Sequence, residues 1–221
     1  MIKIDGRYKD AIWYKKGTQV LIGGAGGIGS HLTFMLARAG FLPTVYDFDV
    51  VEEQNIGGQL YARSQVGFDK TKALANNIKE LVDIAISTEA QKYTANSKHG
   101  RFMFSCFDNM SARAIMLENF KKETAQNKLF IDGRLSFENF LIYCVQEKDI
   151  ERYEKTLFDD NLAVNQPCTL QQTTHVASMI ASMMTALFTN HLTNIFEGTE
   201  VRYVPFKTEV MLPLLAIKTE Q

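Results

Sequence analysis

A chain of 221 residues with 46% apolar and 22% charged residues has the balance of a globular protein, not of a disordered one, and is long enough to bury a core without disulfide staples. Its formal net charge of −1, with no strongly basic stretch, gives no reason to expect nucleic acid as a partner. The three cysteines, Cys106, Cys144 and Cys168, stand apart from one another, which excludes Cys-x-x-Cys zinc sites and a disulfide framework.

Met-Ile-Lys-Ile-Asp-Gly-Arg at the start lacks the apolar run of a signal peptide, and the expected location is the cytoplasm. Thr18 to Ile22, a short apolar run ending in glycines, reads as a buried parallel strand. Gly27 to Ala39 has helical spacing, with Ile28, Leu32, Met35, Leu36 and Ala39 on one face and Gly40 as its terminator. A second strand follows over Pro43 to Asp49, and the strand–helix–strand unit so formed requires a right-handed crossover. Lys70 to Leu81 is expected to be a helix, Ile84 to Ser87 a strand and Arg101 to Phe107 a stronger one. Ser111 is the expected N-cap of a helix reaching about Lys122. Strands over Lys128 to Ile131 and Phe140 to Val145 come next, then a short helix over Asp149 to Leu157. A polar loop passes through Gln166-Pro167, and Gln171 to Leu192 forms a long core helix. The apolar stretch from Val176 to Phe196 is interrupted by Ser178, Ser182, Thr185, Asn190 and His191, so it suits a buried helix rather than a membrane span. Val201 to Lys218 supplies further strands.

Helices alternating with strands imply an α/β fold. The expectation is one domain over residues 1–221, Rossmann-like, with a largely parallel sheet, helices on both faces and extra antiparallel strands at the C-terminal end.

The chemistry concentrates where the first strand meets the first helix. Gly24-Ala25-Gly26-Gly27-Ile28-Gly29 combines tight turning with close backbone approach to a phosphate, and the helix start stabilises negative charge. Asp47 lies 18 residues beyond Gly29 at the end of the second strand, where a carboxylate can accept hydrogen bonds from ribose hydroxyls. This much serves ATP and NAD alike.

Three further pieces follow in order. They are Asp47-Phe48-Asp49-Val50-Val51-Glu52, then Asn55 and Gln59, then Gly67 with Lys70; Asp108-Asn109 and Arg113 come after them. Together with the glycine loop they resemble the signature of the ubiquitin-activating-enzyme-like family, which includes ThiF, MoeB and HesA. The likeness is good over residues 18–135 and looser beyond.

That resemblance implies an adenylyltransferase, in which a carboxylate attacks the α-phosphate of ATP to give an acyl-adenylate and pyrophosphate. Gly24, Gly26, Gly27 and Gly29 would then cradle the nucleotide. Asp47, with Asp49, would hold its ribose side, and Asn55, Gln59 and Lys70 would reach the phosphates. Asp108 would position Mg2+, a hard ion that prefers carboxylate oxygen. The acceptor implied is a ubiquitin-like or sulfur-carrier protein, or a small peptide, and the assembly implied is a homodimer. Each residue also has a plainer reading: Lys70 as a solvated helix start, Asn55 as a turn former, Asp108 as a helix-capping acid.

One position departs from the family pattern. The arginine that usually precedes the glutamine is here Gly58, and Arg63 is the nearest cation that would replace it. Pro167-Cys168-Thr169 resembles the site at which ubiquitin-activating enzymes form a thioester. A helix N-terminus lowers a thiol pKa, but Cys168 also suits a small space-filling role. Arg134, after the expected strand at Lys128 to Ile131, would either bind the acceptor carboxylate or hold a loop. The competing functions are an NAD-dependent oxidoreductase and a non-catalytic subunit of an activating complex.

Overall fold

The computed structural model describes residues 8–162 and 174–221. Eight strands form one sheet in the order β3-β2-β1-β4-β5-β6-β7-β8. They are β1 (Gln19–Gly23), β2 (Leu42–Tyr46), β3 (Ser87–Glu89), β4 (Phe102–Ser105), β5 (Leu129–Ser136), β6 (Asn139–Val145), β7 (Lys207–Met211) and β8 (Ala216–Glu220). The first five pair in parallel, and β5 through β8 pair antiparallel. The helices are α1 (Gly27–Arg38), α2 (Lys70–Val82), α3 (Met110–Lys121), α4 (Ile150–Glu154) and α5 (Thr174–Glu197).

Strand alternation sorts the core into two layers. Val20, Ile22, Phe102, Phe104, Leu129 and Ile131 face α1, α2 and α5. Leu21, Met103 and Phe130 point the other way, onto Met116, Leu117 and Phe120 of α3 and Tyr153 of α4. Helices therefore cover both faces, as the alternating pattern of the sequence requires. Phe188 of α5 anchors the first layer, with its ring 5.0–5.2 Å from those of Phe41, Phe102 and Phe104. Such aromatic pairs add roughly 0.5–1.5 kcal/mol each beyond their burial. Among the described residues no helix is long and apolar enough to cross a membrane.

Element bounds shift in physically readable ways. The third strand lies at Ser87–Glu89, not Ile84 to Ser87. Asp83 ends α2 in the left-handed region (φ 57°), and Ile84 and Ile86 pack against the core as loop residues. β5 continues five residues past Ile131, to Ser136, because Asp132 is neutralised inside the fold. α5 runs on to Glu197, and the strand expected from Val201 begins only at Lys207.

Candidate active site

The parallel strands deliver their carboxyl ends to one rim of the sheet, and order reverses there between β1 and β4. Crevices at such reversals collect ligands in open α/β sheets. β1 ends at Gly23 and Gly24 turns with φ +93°. A Cβ at Gly24 would lie 2.8 Å from the Cys106 carbonyl oxygen, and one at Gly29 would lie 1.8 Å from that of Gly24. Those two glycines serve the tight passage from strand to helix. Gly26 differs, since a Cβ there would meet nothing within 4 Å. It sits at the N-cap of α1, where no side chain caps the helix. The first-turn amides are left as donors at the positive end of the helix dipole, an arrangement that suits an anion.

Asp47 ties the second strand to this loop. Its Oδ2 accepts the Ala25 N–H at 2.6 Å and its Oδ1 accepts the Asp49 N–H at 2.8 Å. Burial raises the Asp47 carboxyl above its ordinary range, and the two amides only partly offset that. Asp49 is half exposed and pairs with the Lys70 ammonium at 3.0 Å, while the Lys70 backbone N–H donates to the Asp49 carbonyl at 2.9 Å. The Lys70 side chain is 9% exposed. A buried ammonium with one carboxylate partner at the start of a helix is not the solvated lysine of the plainer reading.

Tyr61, which sequence reasoning passed over, supports the loop from beneath. Its buried hydroxyl donates to the Ala25 carbonyl at 2.6 Å. Burial, then Asp47 and Asp49, push its phenol upward and keep it protonated. The only signal in the sequence is an aromatic residue close after the glycines of Asn55-Ile56-Gly57-Gly58-Gln59.

Asp108 stands just past β4, exposed, with Oδ1 accepting the Asn109 amide at 3.0 Å. It is not the cap of α3, and neither is Ser111. Asn109 is the cap, its Oδ1 accepting the Ala112 N–H at 2.8 Å. Its short side chain in extended backbone reaches the first turn, whereas Ser111 already lies inside the helix. Asp160, also missed, arrives from beyond α4 and accepts the N–H groups of Met110 and Ser111. Among the described residues no three metal-ligating side chains gather. A magnesium ion on Asp108 does not need such a cluster, because Mg2+ takes one or two carboxylates and completes its shell with water and phosphate.

Arg113 and Arg134 enclose Asp132, which is 0% exposed. Arg113 donates to Asp132 Oδ1 and to the carbonyls of Gly133 and Phe107. Arg134 donates to Asp132 Oδ2 at 2.7 Å and to the carbonyl and hydroxyl of Thr156 at 2.9 Å each. It also lies over the ring of Tyr143, 4.6 Å from the centroid. Burial pushes the Asp132 carboxyl up, but the two guanidiniums outweigh it and hold it below the usual range. Of the two roles expected for Arg134, the structure shows loop-holding.

The segment between β2 and α2 carries the remaining candidates. Asn55 Oδ1 accepts the Glu52 N–H at 2.9 Å, as a turn former does. Gln59 Oε1 is buried and without a partner. Arg63 turns to Glu53 at 2.9 Å in a pair that is 80% and 60% exposed, a weak surface contact. Cys106 and Cys144 are free and buried, and burial raises both thiols. Cys168 lies outside the described residues. The structure thus joins the glycine loop, Asp47, Asp49 and Lys70, sets Asp108 on the adjoining strand end, and leaves Arg63 on the surface.

A family model described as the ThiF family matches residues 15–210. Among curated proteins, the adenylyltransferase and sulfurtransferase MOCS3 of Caenorhabditis briggsae is 31% identical over 110 residues, which is 46% of this chain and 27% of that protein. Among solved structures, selenomethionine PaaA aligns at TM-score 0.70 and 17% identity, over 92% of this chain and 64% of that one. Escherichia coli MccB solved with ATP aligns at TM-score 0.68 and 16% identity, over 93% and 64%. MccB in complex with N-formylated MccA gives 0.67 and 15%, over 92% and 64%. At such identities the likeness shows the fold, and this chain spans less than two thirds of each of these relatives.

Proposed function

This chain belongs to the ThiF family, and on that footing we propose that it is an ATP- and magnesium-dependent adenylyltransferase acting on a carboxylate. The observation that carries the reading is convergence. Pieces running from residue 24 to residue 108 meet at one rim of the sheet, through Asp47 on Ala25, Lys70 on Asp49, and β4 beside β1.

Each piece has a task in that reaction. The open face at Gly26 and the free amides of α1 receive phosphate oxygens, and Asp47 and Asp49 face the ribose. Lys70, already drawn to this rim by Asp49, offsets the negative charge that develops as the acceptor carboxylate attacks the α-phosphate and pyrophosphate leaves. Such displacement depends on positioning and fixed charge more than on covalent help. Asp108 would hold magnesium, which supplies further charge neutralisation when bound. The acceptor in this reading belongs to the class of ubiquitin-like or sulfur-carrier C-termini or small peptides; MOCS3 is by name an adenylyltransferase and sulfurtransferase, and MccB is solved in complex with N-formylated MccA. A homodimer, a cytoplasmic location and attack of the Cys168 thiolate on the acyl-adenylate, forming a thioester and releasing AMP, complete the proposal.

An NAD-dependent oxidoreductase leaves Lys70 and Asp108 without a task. A non-catalytic subunit is favoured by one observation, Gly58 in the arginine position. Both readings meet the same test. ATP with magnesium should give calorimetric binding while NAD stays silent, and ATP–pyrophosphate exchange should appear with a suitable acceptor. Asp108→Ala should lower that exchange at least about a hundredfold, the usual scale for losing one well-placed electrostatic group. Unchanged exchange in Asp108→Ala would remove that residue from the site. NAD binding with ATP silent would overturn the whole reading.

A further inference from the structure

The opposite edge of the fold, at the amino ends of β1 and β4, holds a cavity of about 570 Å3. That volume falls within the roughly 300–1,000 Å3 usual for small-molecule sites. β1 runs from this cavity, at Gln19, to the glycine loop, at Gly23. At about 3.3 Å per residue the two ends of the strand stand roughly 13 Å apart, so the cavity is separate from the rim proposed for the nucleotide.

Its wall combines two chemistries. Val20, Phe102 and Leu192 are buried behind it, and Phe196, in the last turn of α5, adds a ring that is 43% exposed. Around this apolar floor stand Lys15, Lys16, Lys98, His99 and Arg101, with Glu123 as the carboxylate among the residues of the wall. Part of the charge is answered inside the fold. Lys98 pairs with Glu89 at 2.8 Å, and His99 meets Glu123 at 3.3 Å. The other oxygen of Glu123 accepts the N–H groups of Thr124 and Ala125, which ties that acid to its own loop.

Arg101 and Lys15 differ, since neither pairs with a carboxylate among the described residues. Arg101 is half-buried. Its guanidinium lies over the Phe102 ring, 4.8 Å from the centroid, and its Nε is buried without a hydrogen-bond partner. Exposed lysines alone would be an ordinary solvated surface. Here an unpaired ammonium and an unpaired guanidinium border a concave apolar floor, and the combination selects its ligand. A bare inorganic anion would leave the floor in water, whereas an uncharged hydrocarbon would leave both cations unanswered.

We propose that this cavity is a second ligand site that takes a small organic anion, with a carboxylate or phosphate head on Arg101 and Lys15 and an apolar body against Phe102, Leu192 and Phe196. The assignment stands apart from the ATP reading. The competing role for Arg101 is structural, because it shares the cavity wall with the last turn of α5, whose negative end attracts cations. In that case its loss would be felt in stability and not in ligand affinity.

The test is calorimetric titration of the whole chain with octanoate and with octyl phosphate, both below micelle-forming concentrations, and with 1-octanol as the uncharged control. At least one anion should bind one-to-one and at least about tenfold more tightly than octanol, the scale of one charge-assisted hydrogen bond. The head group preferred tells a carboxylate source from a phosphate source. Arg101→Gln should weaken that anion at least about tenfold and leave octanol unchanged. Lys15→Gln, at an exposed position that folding does not depend on, should weaken it about threefold, and Phe196→Ser should weaken anion and alcohol alike. Binding by neither anion, octanol as tight as both, or undiminished affinity in Arg101→Gln would each overturn the assignment. If Arg101→Gln fails to fold, full affinity in Lys15→Gln does so instead. Loss of the anion in saturating ATP–magnesium would place it at the nucleotide rim and overturn the assignment as well, while absence of ATP binding would touch only the nucleotide reading.

Discussion

Two charged assemblies occupy the same rim of the sheet and are built in opposite ways. Asp132 with Arg113 and Arg134 is closed: the carboxylate is fully buried, both of its oxygens accept from guanidiniums, and further guanidinium donors go to backbone carbonyls and the Thr156 hydroxyl, Arg113 Nε alone staying buried without a partner. Asp49 with Lys70, and Asp108 beyond them, is open, with half-exposed or exposed carboxylates and one internal partner each. A carboxylate whose two oxygens are both taken inside the fold has none left for a ligand. On this rim the capacity for chemistry lies in the partly satisfied groups, and the buried cluster supplies rigidity beside them.

That contrast predicts that stability and activity will separate. The largest effect on stability should come from Asp132→Ala, which strands two guanidiniums in the interior. Breaking a buried pair in this way costs about 3–5 kcal/mol, to be read as a fall in the urea midpoint. A loss under about 1 kcal/mol would show that the cluster is solvated in solution, and the contrast would fail. The pH dependence follows from the sign of the shift. Asp132 is held lower in the folded chain than its unfolded value of about 3.9, so its stabilisation is complete above that value and disappears as pH falls through the folded one. Asp132→Asn should therefore show a flatter acid limb below about pH 4 than the wild type.

The glycines divide in the same manner and give the next smaller effect. Gly29→Ala puts a Cβ against the Gly24 carbonyl and should destabilise by about 1–3 kcal/mol. Gly26→Ala meets no atom and should leave the thermal midpoint almost unmoved, within about 0.5 kcal/mol, while weakening ATP binding. If both substitutions shift stability alike, Gly26 is a packing glycine and the open face proposed for it is lost. Smallest in stability should be Asp108→Ala, again within about 0.5 kcal/mol, although its proposed effect on pyrophosphate exchange is the greatest of these.

How legible all this was follows the distance over which each feature is determined. The glycine loop, α1 and Asp47 depend on neighbours a few residues away or on a fixed strand–helix–strand span, and the sequence announces them. Ser111 is the expected cap and Asn109 the actual one, because both residue types cap well and only backbone conformation separates them. Asp132 read as the end of a strand because an acid normally stops burial; Arg113, from another element, reverses that. Tyr61, Asn77 and Asp160 act on partners 36, 17 and 50 residues away, through contacts that no local pattern encodes. The role of Arg134 needed Thr156 in place before it could be decided.

The strand order also carries a consequence in time. β5 and β6 form a hairpin of seven register pairs across the turn at Phe137 and Glu138, a local closure that costs little chain entropy. β1 must instead find β4, pairing Leu21 with Met103 some 82 positions later. The glycine loop lacks one of its supports until that happens, because Gly24 packs on Cys106 just beyond β4. Non-local parallel pairing is the slow kind. Asp132 should thus be enclosed early and the rim completed last, so that a folding chain gains its ligand only after the rate-limiting step. Stopped-flow refolding with and without ATP checks this: the folding limb should be unchanged and the unfolding limb slowed. Faster folding in ATP would mean that the loop forms before the step that limits the rate.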